Sequence, residues 1–176
     1  MTLPDWSAQD FAMTRPLLDT WIATYGLDPS LVYGLVSQES KFKPTAFLLD
    51  RNGGSYGLTQ LSLPTAQGMG YTGDGQGLFN PDVNVQYGLL YLSQLLDRYQ
   101  DEAQALSAYN CGYPTGCAAG DAYAAEVQTR AFYFADMLAP PAGAGGSFGD
   151  GPSPSLGIVA ALAVLGLGAA WLARQS

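Results

Sequence analysis

Residues 28–46 read DPSLVYGLVSQESKFKPTA, a helix with both ends marked. Asp28 offers a side-chain acceptor for an N-cap, and Pro29 suits the first helical position. Pro44 turns the residue before it away from helical angles, so the helix finishes at or before Lys43. Between these marks Leu31, Leu35 and Glu39 fall at i, i+4 and i+8, and Val32 and Val36 widen the stripe. Glu39 thus continues the apolar face instead of the polar one. Burial disfavours the ionised form and raises a carboxyl pKa, as a general acid working near neutrality requires. The competing reading is a surface pair between Glu39 and Lys43 at i+4. Pro44 weakens that pair, but the stripe alone leaves the two readings level.

Helical punctuation continues on both sides, and no run shows sustained strand alternation. A first helix is expected from about Thr14-Arg15-Pro16, with Leu17, Leu18, Trp21, Ile22 and Tyr25 on one face. Residues 51–57, RNGGSYG, read as a loop. Pro64 opens a short helical turn that the glycines between Gly68 and Gly77 end. Asn80-Pro81-Asp82 introduces a long helix carrying Val85, Leu89, Leu92 and Leu96. A short helix is expected over Ala103–Tyr109, and a last one carries Tyr123, Val127, Ala131, Phe134 and Leu138. The sum is a mainly α domain over residues 1–138, large enough for a real core.

Composition removes many chemistries. The 176 residues hold 7 Lys+Arg against 15 Asp+Glu, a formal charge of -8, and no histidine. Ser-His-Asp triads, Cys-His pairs and H-E-x-x-H zinc sites are therefore impossible. An acidic chain lacks the clustered cations that nucleic-acid binding needs, so no nucleic acid is expected as partner. No G-x-x-x-x-G-K-[ST] loop is present. No metal and no cofactor are expected.

The composition shifts at Ala139. Residues 139–155, APPAGAGGSFGDGPSPS, hold five Gly, four Pro and three Ser, and read as a flexible linker. Residues 156–173, LGIVAALAVLGLGAAWLA, carry no charged or strongly polar side chain. As a helix they would extend roughly 27 Å, just enough for a hydrocarbon core of about 30 Å. They read as one C-terminal transmembrane helix, with Trp171 and Arg174 at the interface. No signal peptide is visible at the N-terminus. Arg174 by positive-inside logic leaves the C-terminus cytoplasmic and residues 1–155 outside.

Downstream of Glu39 the sequence keeps an order of short blocks. Glu39-Ser40-x-Phe42-x-Pro44-x-Ala46 is followed by Gly57-Leu58-Thr59-Gln60 and Pro64-Thr65-Ala66. Then come Asn84-x-x-x-Gly88-x-x-Tyr91-Leu92, Ala108-Tyr109-Asn110-Cys111-Gly112 and Tyr123-x-x-x-Val127. This order resembles the catalytic domain of soluble lytic transglycosylases, relatives of goose-type lysozyme, over roughly residues 28 to 130. The resemblance implies a lysozyme-like helical domain whose partner is the glycan strand of peptidoglycan. It places the single catalytic acid on Glu39, which would cleave the MurNAc–GlcNAc β-1,4 bond and close a 1,6-anhydro ring. It also implies substrate-binding roles for Ser40, Gln60, Thr65, Tyr109, Asn110 and Tyr123, with Tyr123 nearest the muramic sugar.

Three departures from the family pattern stand out. Thr59 replaces a methionine, Ser62 stands where some members place a sugar-contacting methionine, and the stretch before Gly57 carries extra residues, LLDRNGG. Asp50 in that stretch reads as a turn residue, although a second carboxylate there would suit plain hydrolysis. Cys111 and Cys117 are expected to form a disulfide in an exported domain. Two alternatives accompany the transglycosylase reading: a goose-type hydrolase, and a non-catalytic glycan-binding structural protein of a virion. A bacteriophage virion or a conjugation or secretion apparatus would each suit an anchored, small catalytic module, and their proteins are the further partners to expect.

Overall fold

A computed structural model describes residues 5–49 and 53–140. The expected linker beyond Pro140, the span at 156–173 and Asp50 lie outside the described residues. Helix α1 covers Ala8–Tyr25, and Ser7 caps it by accepting from the Asp10 amide at 3.3 Å. The expected start near Thr14 is therefore corrected: the helix runs through Pro16. Proline there removes one backbone donor, but the Ser7 cap and the buried face of Phe11, Thr14, Leu18 and Ile22 hold the extra turn. Helix α2, Pro29–Ser40, is capped by Asp28, which accepts from the Leu31 amide at 3.0 Å.

The end of α2 is unusual. Lys41 and Phe42, neither of them glycine, follow it at φ 56° and 63°. Left-handed angles cost a side-chain-bearing residue about 1 kcal/mol or more each. The surroundings offset this. Phe42 is fully buried among Trp6, Phe11 and Phe134, with ring centroids 5.3, 5.0 and 5.9 Å away. Lys41 pairs with Asp5, which also receives Arg130 Nη1 at 2.9 Å.

Beyond this corner the structure departs from the all-helical expectation. Three two-residue strands, β1 (Phe47–Leu48), β2 (Ser55–Tyr56) and β3 (Leu61–Ser62), pair antiparallel in that order. The strand β2 falls within the expected loop. Two-residue strands are too short to show alternation, which is why no period announces them. Helix α3 (Leu63–Gly68) and a 3-10 turn at Gly77–Phe79 follow. Helix α4 covers Pro81–Tyr99, capped by Asn80, and α5 covers Glu102–Cys111, capped by Asp101. Helix α6 runs from Ala118 to Leu138.

Helix α2 is the axis of the domain. Its residues Leu31, Val32, Tyr33, Leu35 and Val36 are all buried, and α6 lies along it. The two backbones meet at Gly34, where a Cβ would lie 2.8 Å from the Val127 carbonyl oxygen and the Ala131 amide nitrogen. A glycine in mid-helix costs about 1 kcal/mol relative to alanine. Here it allows an approach that brings the N-terminal half of α6 beside the end of α2. A second small core of Leu61, Ala66 and Leu78 sits under the sheet. Among the described residues no helix is long and apolar enough to cross a membrane.

Candidate active site

Glu39 stands in the last turn of α2, two residues before the left-handed corner, and opens into a cavity of about 600 Å³. Gln60, Thr65, Tyr109, Asn110 and Tyr123 line the same cavity. Ser40 does not. It is buried, and its hydroxyl donates to the Val36 carbonyl at 3.2 Å, so the expected substrate contact is corrected to an intrahelical one. The sequence reading also passed over Gln38, Leu48, Ser55 and Tyr91, which belong to the lining. Tyr91 stood in a quoted block, and its ring lies 5.2 Å from that of Tyr109, so the block itself carried the signal. Leu48 and Ser55 depend on the small sheet and had no signal of their own.

The surface pair is absent. Helix α2 stops at Ser40, Lys43 is exposed beyond the corner, and no ion pair joins it to Glu39. Instead the Tyr123 hydroxyl, on α6, donates to Glu39 Oε1. Burial pushes the Glu39 carboxyl up to about 7, against the weaker opposing pull of the Tyr123 hydrogen bond. Burial and the neighbouring Glu39 likewise push the Tyr123 and Tyr109 phenols well above the usual tyrosine range. Both therefore stay protonated as donors. Among the described lining residues, Glu39 is the only carboxylate.

The opposite wall is held by Asn84, fully buried on α4. Its Oδ1 accepts from the Thr59 amide and hydroxyl, each at 2.9 Å. Its Nδ2 donates to the Tyr56 carbonyl at 2.7 Å and the Leu78 carbonyl at 3.1 Å. The Thr59 carbonyl in turn accepts from the Tyr109 hydroxyl at 3.0 Å. Thr59, the residue in place of methionine, is thus a polar tie, and it fits because Gly88 has no side chain: a Cβ there would lie 2.2 Å from its Oγ1. Gln60 follows in a left-handed conformation, φ 46°. Its Nε2 donates to the Ala46 and Gly57 carbonyls at 3.2 and 2.9 Å, which leaves its amide oxygen as what it can offer a ligand.

Taken together, a desolvated carboxyl with one oxygen held by a phenol can give a proton to a bound acceptor and take one back. The transglycosylase SLT domain family matches residues 16–125, more than half of the chain. The chain belongs to this family. A transglycosylase of Enterobacteria phage PRD1 is 39% identical over 90 residues, covering 51% of this chain and 31% of that protein. Membrane-bound lytic murein transglycosylase F of Desulfosudis oleivorans is 33% identical over 106 residues, covering 56% and 22%. The chain spans about a third or less of the length of these relatives. Among solved structures, an inactive variant of lytic transglycosylase Slt from Pseudomonas aeruginosa superposes with a TM-score of 0.62 at 25% identity, covering 70% of this chain and 24% of that one. The 70 kDa soluble lytic transglycosylase of Escherichia coli, at 16% identity and a TM-score of 0.61, shares the fold and covers 70% and 24%. The SLT-family fold is thus mainly helical here, with the small sheet added.

The raised carboxyl is directly measurable. Carbon-13 NMR of the Glu39 side chain should titrate with a midpoint near 7. Tyr123→Phe removes a hydrogen bond that favours the carboxylate and should move that midpoint higher. A midpoint in the ordinary glutamate range, or a downward move in the variant, would contradict this account of the site.

Proposed function

We propose that this SLT-family domain is a peptidoglycan lytic transglycosylase that cleaves the MurNAc–GlcNAc β-1,4 bond with formation of 1,6-anhydro-MurNAc. One observation carries the reading: Glu39 is the sole carboxylate among the described lining residues, and burial raises it to about 7, so that a large share of it carries its proton at neutral pH. Protonated Glu39 donates to the glycosidic oxygen as the bond to C1 breaks. The resulting carboxylate takes the proton of the C6 hydroxyl as O6 bonds to C1, which restores the acid. A second carboxylate, as a nucleophile or for water activation, has no part in this sequence. The likeness to a phage transglycosylase and to a membrane-bound lytic murein transglycosylase supports the same chemistry. Digestion of purified sacculi followed by mass spectrometry tests it. Muropeptides lighter by one water than hydrolytic products are expected, and reducing-end products would assign a hydrolase instead.

The setting we infer is a membrane-anchored module, with residues 156–173 as the anchor, that opens the wall locally, on a virion during phage genome entry. The uncharged eighteen-residue span and the likeness to a phage transglycosylase support it. The full chain should sediment with membranes and enter solution only with detergent. Recovery in a detergent-free high-speed supernatant would refute the anchor.

Cys111 and Cys117 are thiols in the structure, both half-buried. Cys111 Sγ donates to the Ser107 carbonyl at 3.1 Å, and Cys117 Sγ accepts from the Gly120 amide at 3.3 Å as the cap of α6. In an oxidising envelope we propose that a disulfide-forming oxidant takes two electrons and two protons from the pair. The bridge would tie the end of α5, with Tyr109 and Asn110, to the start of the helix carrying Tyr123. Its loop-closure gain is modest, roughly 2–3 kcal/mol for so short a ring. Reduction should therefore lower activity more than melting temperature. Two reactive thiols per unfolded, unreduced chain from exported material would exclude the bridge.

A further inference from the structure

The sheet register assembles a wall that no single block of the sequence contains. Leu48 pairs with Ser55, and Ser55 with Ser62, so these three residues form one row across β1, β2 and β3. All three line the cavity that holds Glu39. The adjacent residue of β1, Phe47, is committed elsewhere. Its ring lies 5.1 Å from that of Tyr56 and 6.2 Å from that of Phe79, and it covers Gly54, where a Cβ would come 2.4 Å from the ring. Successive strand residues point to opposite faces, so anchoring Phe47 turns Leu48 toward the cavity. There Leu48 stays 62% exposed. An exposed leucine is ordinary on a convex surface. In the wall of a cleft lined mostly by hydroxyls, amides and phenols, where the other leucine, Leu61, is buried, it is an apolar contact left open. It also stands at the start of the extra residues by which this chain departs from its family.

We propose that Leu48 is a specificity-determining residue of the cleft, whose isobutyl group packs against methyl groups carried by the glycan. The proposal rests on the transglycosylase reading of the site. Peptidoglycan offers such methyls from three sources: the acetamido groups of every sugar, the lactyl ethers of the muramic sugars, and the alanines of the stem peptides. A contact of this kind binds ground state and transition state alike. Its loss therefore appears in KM and leaves kcat less affected.

The experiment compares the full-length chain in detergent with Leu48→Ser and Leu48→Ile, on peptide-free glycan strands and on peptide-bearing strands. Leu48→Ser should raise KM by about tenfold, the scale of a lost methyl contact in a binding pocket. Leu48→Ile should restore most of it, and melting temperatures should stay together because Leu48 is exposed. Equal losses on both substrates locate the methyl on the sugars, and a loss confined to peptide-bearing strands locates it on the stem. A matching weakening of competition by chitin oligosaccharides, which lack lactyl groups, singles out the acetamido methyl. Dissociation constants in the Glu39→Gln background read the same contact without turnover. Should the parent chain cleave no glycan, that binding difference still decides the role of Leu48, while the transglycosylase reading alone fails. An unchanged KM and dissociation constant in Leu48→Ser would overturn the proposal. So would a defect confined to binding of phospholipid vesicles, which would make the Leu48–Leu49 tip a membrane contact.

Discussion

Glu39→Gln should abolish glycan cleavage and at the same time make the domain more stable at alkaline pH. General acid–base catalysis contributes about 10² to 10⁴-fold, and here one group serves both proton steps, so activity should fall by at least the upper end of that range. The amide keeps the volume and can still accept from the Tyr123 hydroxyl. The stability change follows from linkage. A native pKa near 7 against an unfolded value of 4.5 means that the folded state holds the proton more tightly. Stability from this group is complete below about 4.5, declines as pH rises to about 7, and above that the buried charge is a standing cost of up to about 3 kcal/mol. Glutamine does not ionise. The variant should therefore melt higher than the parent at pH 8 and alike at pH 4. Residual activity above a tenth of the parent, or equal melting temperatures at pH 8, would remove Glu39 from its assigned role.

The second large effect is expected at Asn84, which no substrate needs to touch. Asn84→Leu deletes four hydrogen bonds at once and leaves the Thr59 amide, the Thr59 hydroxyl and the Tyr56 and Leu78 carbonyls facing an apolar side chain. One unsatisfied buried polar group costs about 1–3 kcal/mol, and four in one place do not relax independently. A loss of about 3–5 kcal/mol is expected, which should lower the melting temperature by about 10–20 °C. Activity should fall even at temperatures where the variant is folded, because Gln60 and the Thr59 carbonyl that receives Tyr109 lose their support. Denaturant unfolding and turnover at low temperature measure the two separately. A variant within 1 kcal/mol of the parent would show that the loop is held from elsewhere.

Helices were legible where caps and periodic apolar faces coincide. Asp28-Pro29 and Asn80-Pro81 set two starts to the residue, and the stripe from Leu31 to Glu39 put that glutamate on the buried face of α2, where the structure has it. Ser7 was passed over as a cap because Pro16 was given more weight than it carries on an exposed face. The sheet was illegible for a different reason. Its strands are set by register with one another and by Asn84 from α4, and their two-residue length leaves no pattern. Gln60, Thr65, Asn110 and the two tyrosines reached the cleft by family resemblance, and Ser40 failed because a hydroxyl in a last helical turn bonds its own backbone first. Leu48, Ser55 and Gln38 had no period, cap or block position to mark them. The raised state of Glu39 needed both the stripe and a roof, and the roof comes from a helix far along the chain.

That distance bears on when the proposed activity can begin. Glu39 and the Tyr123 hydroxyl that orients it are 84 residues apart, and the brace between Asp5 and Arg130 spans 125. Neither contact can form before α6 has been made, and contacts of such sequence separation are the slow ones to form. A ribosome-bound nascent chain that has emitted α1 to α5 carries Glu39 as an ordinary solvated glutamate, ionised and unaimed. The buried, oriented carboxyl comes into being only when α6 docks. Under the proposed function, translation itself acts as a safety catch, and a chain that stops before α6 should be inert instead of a loose wall-cutting activity.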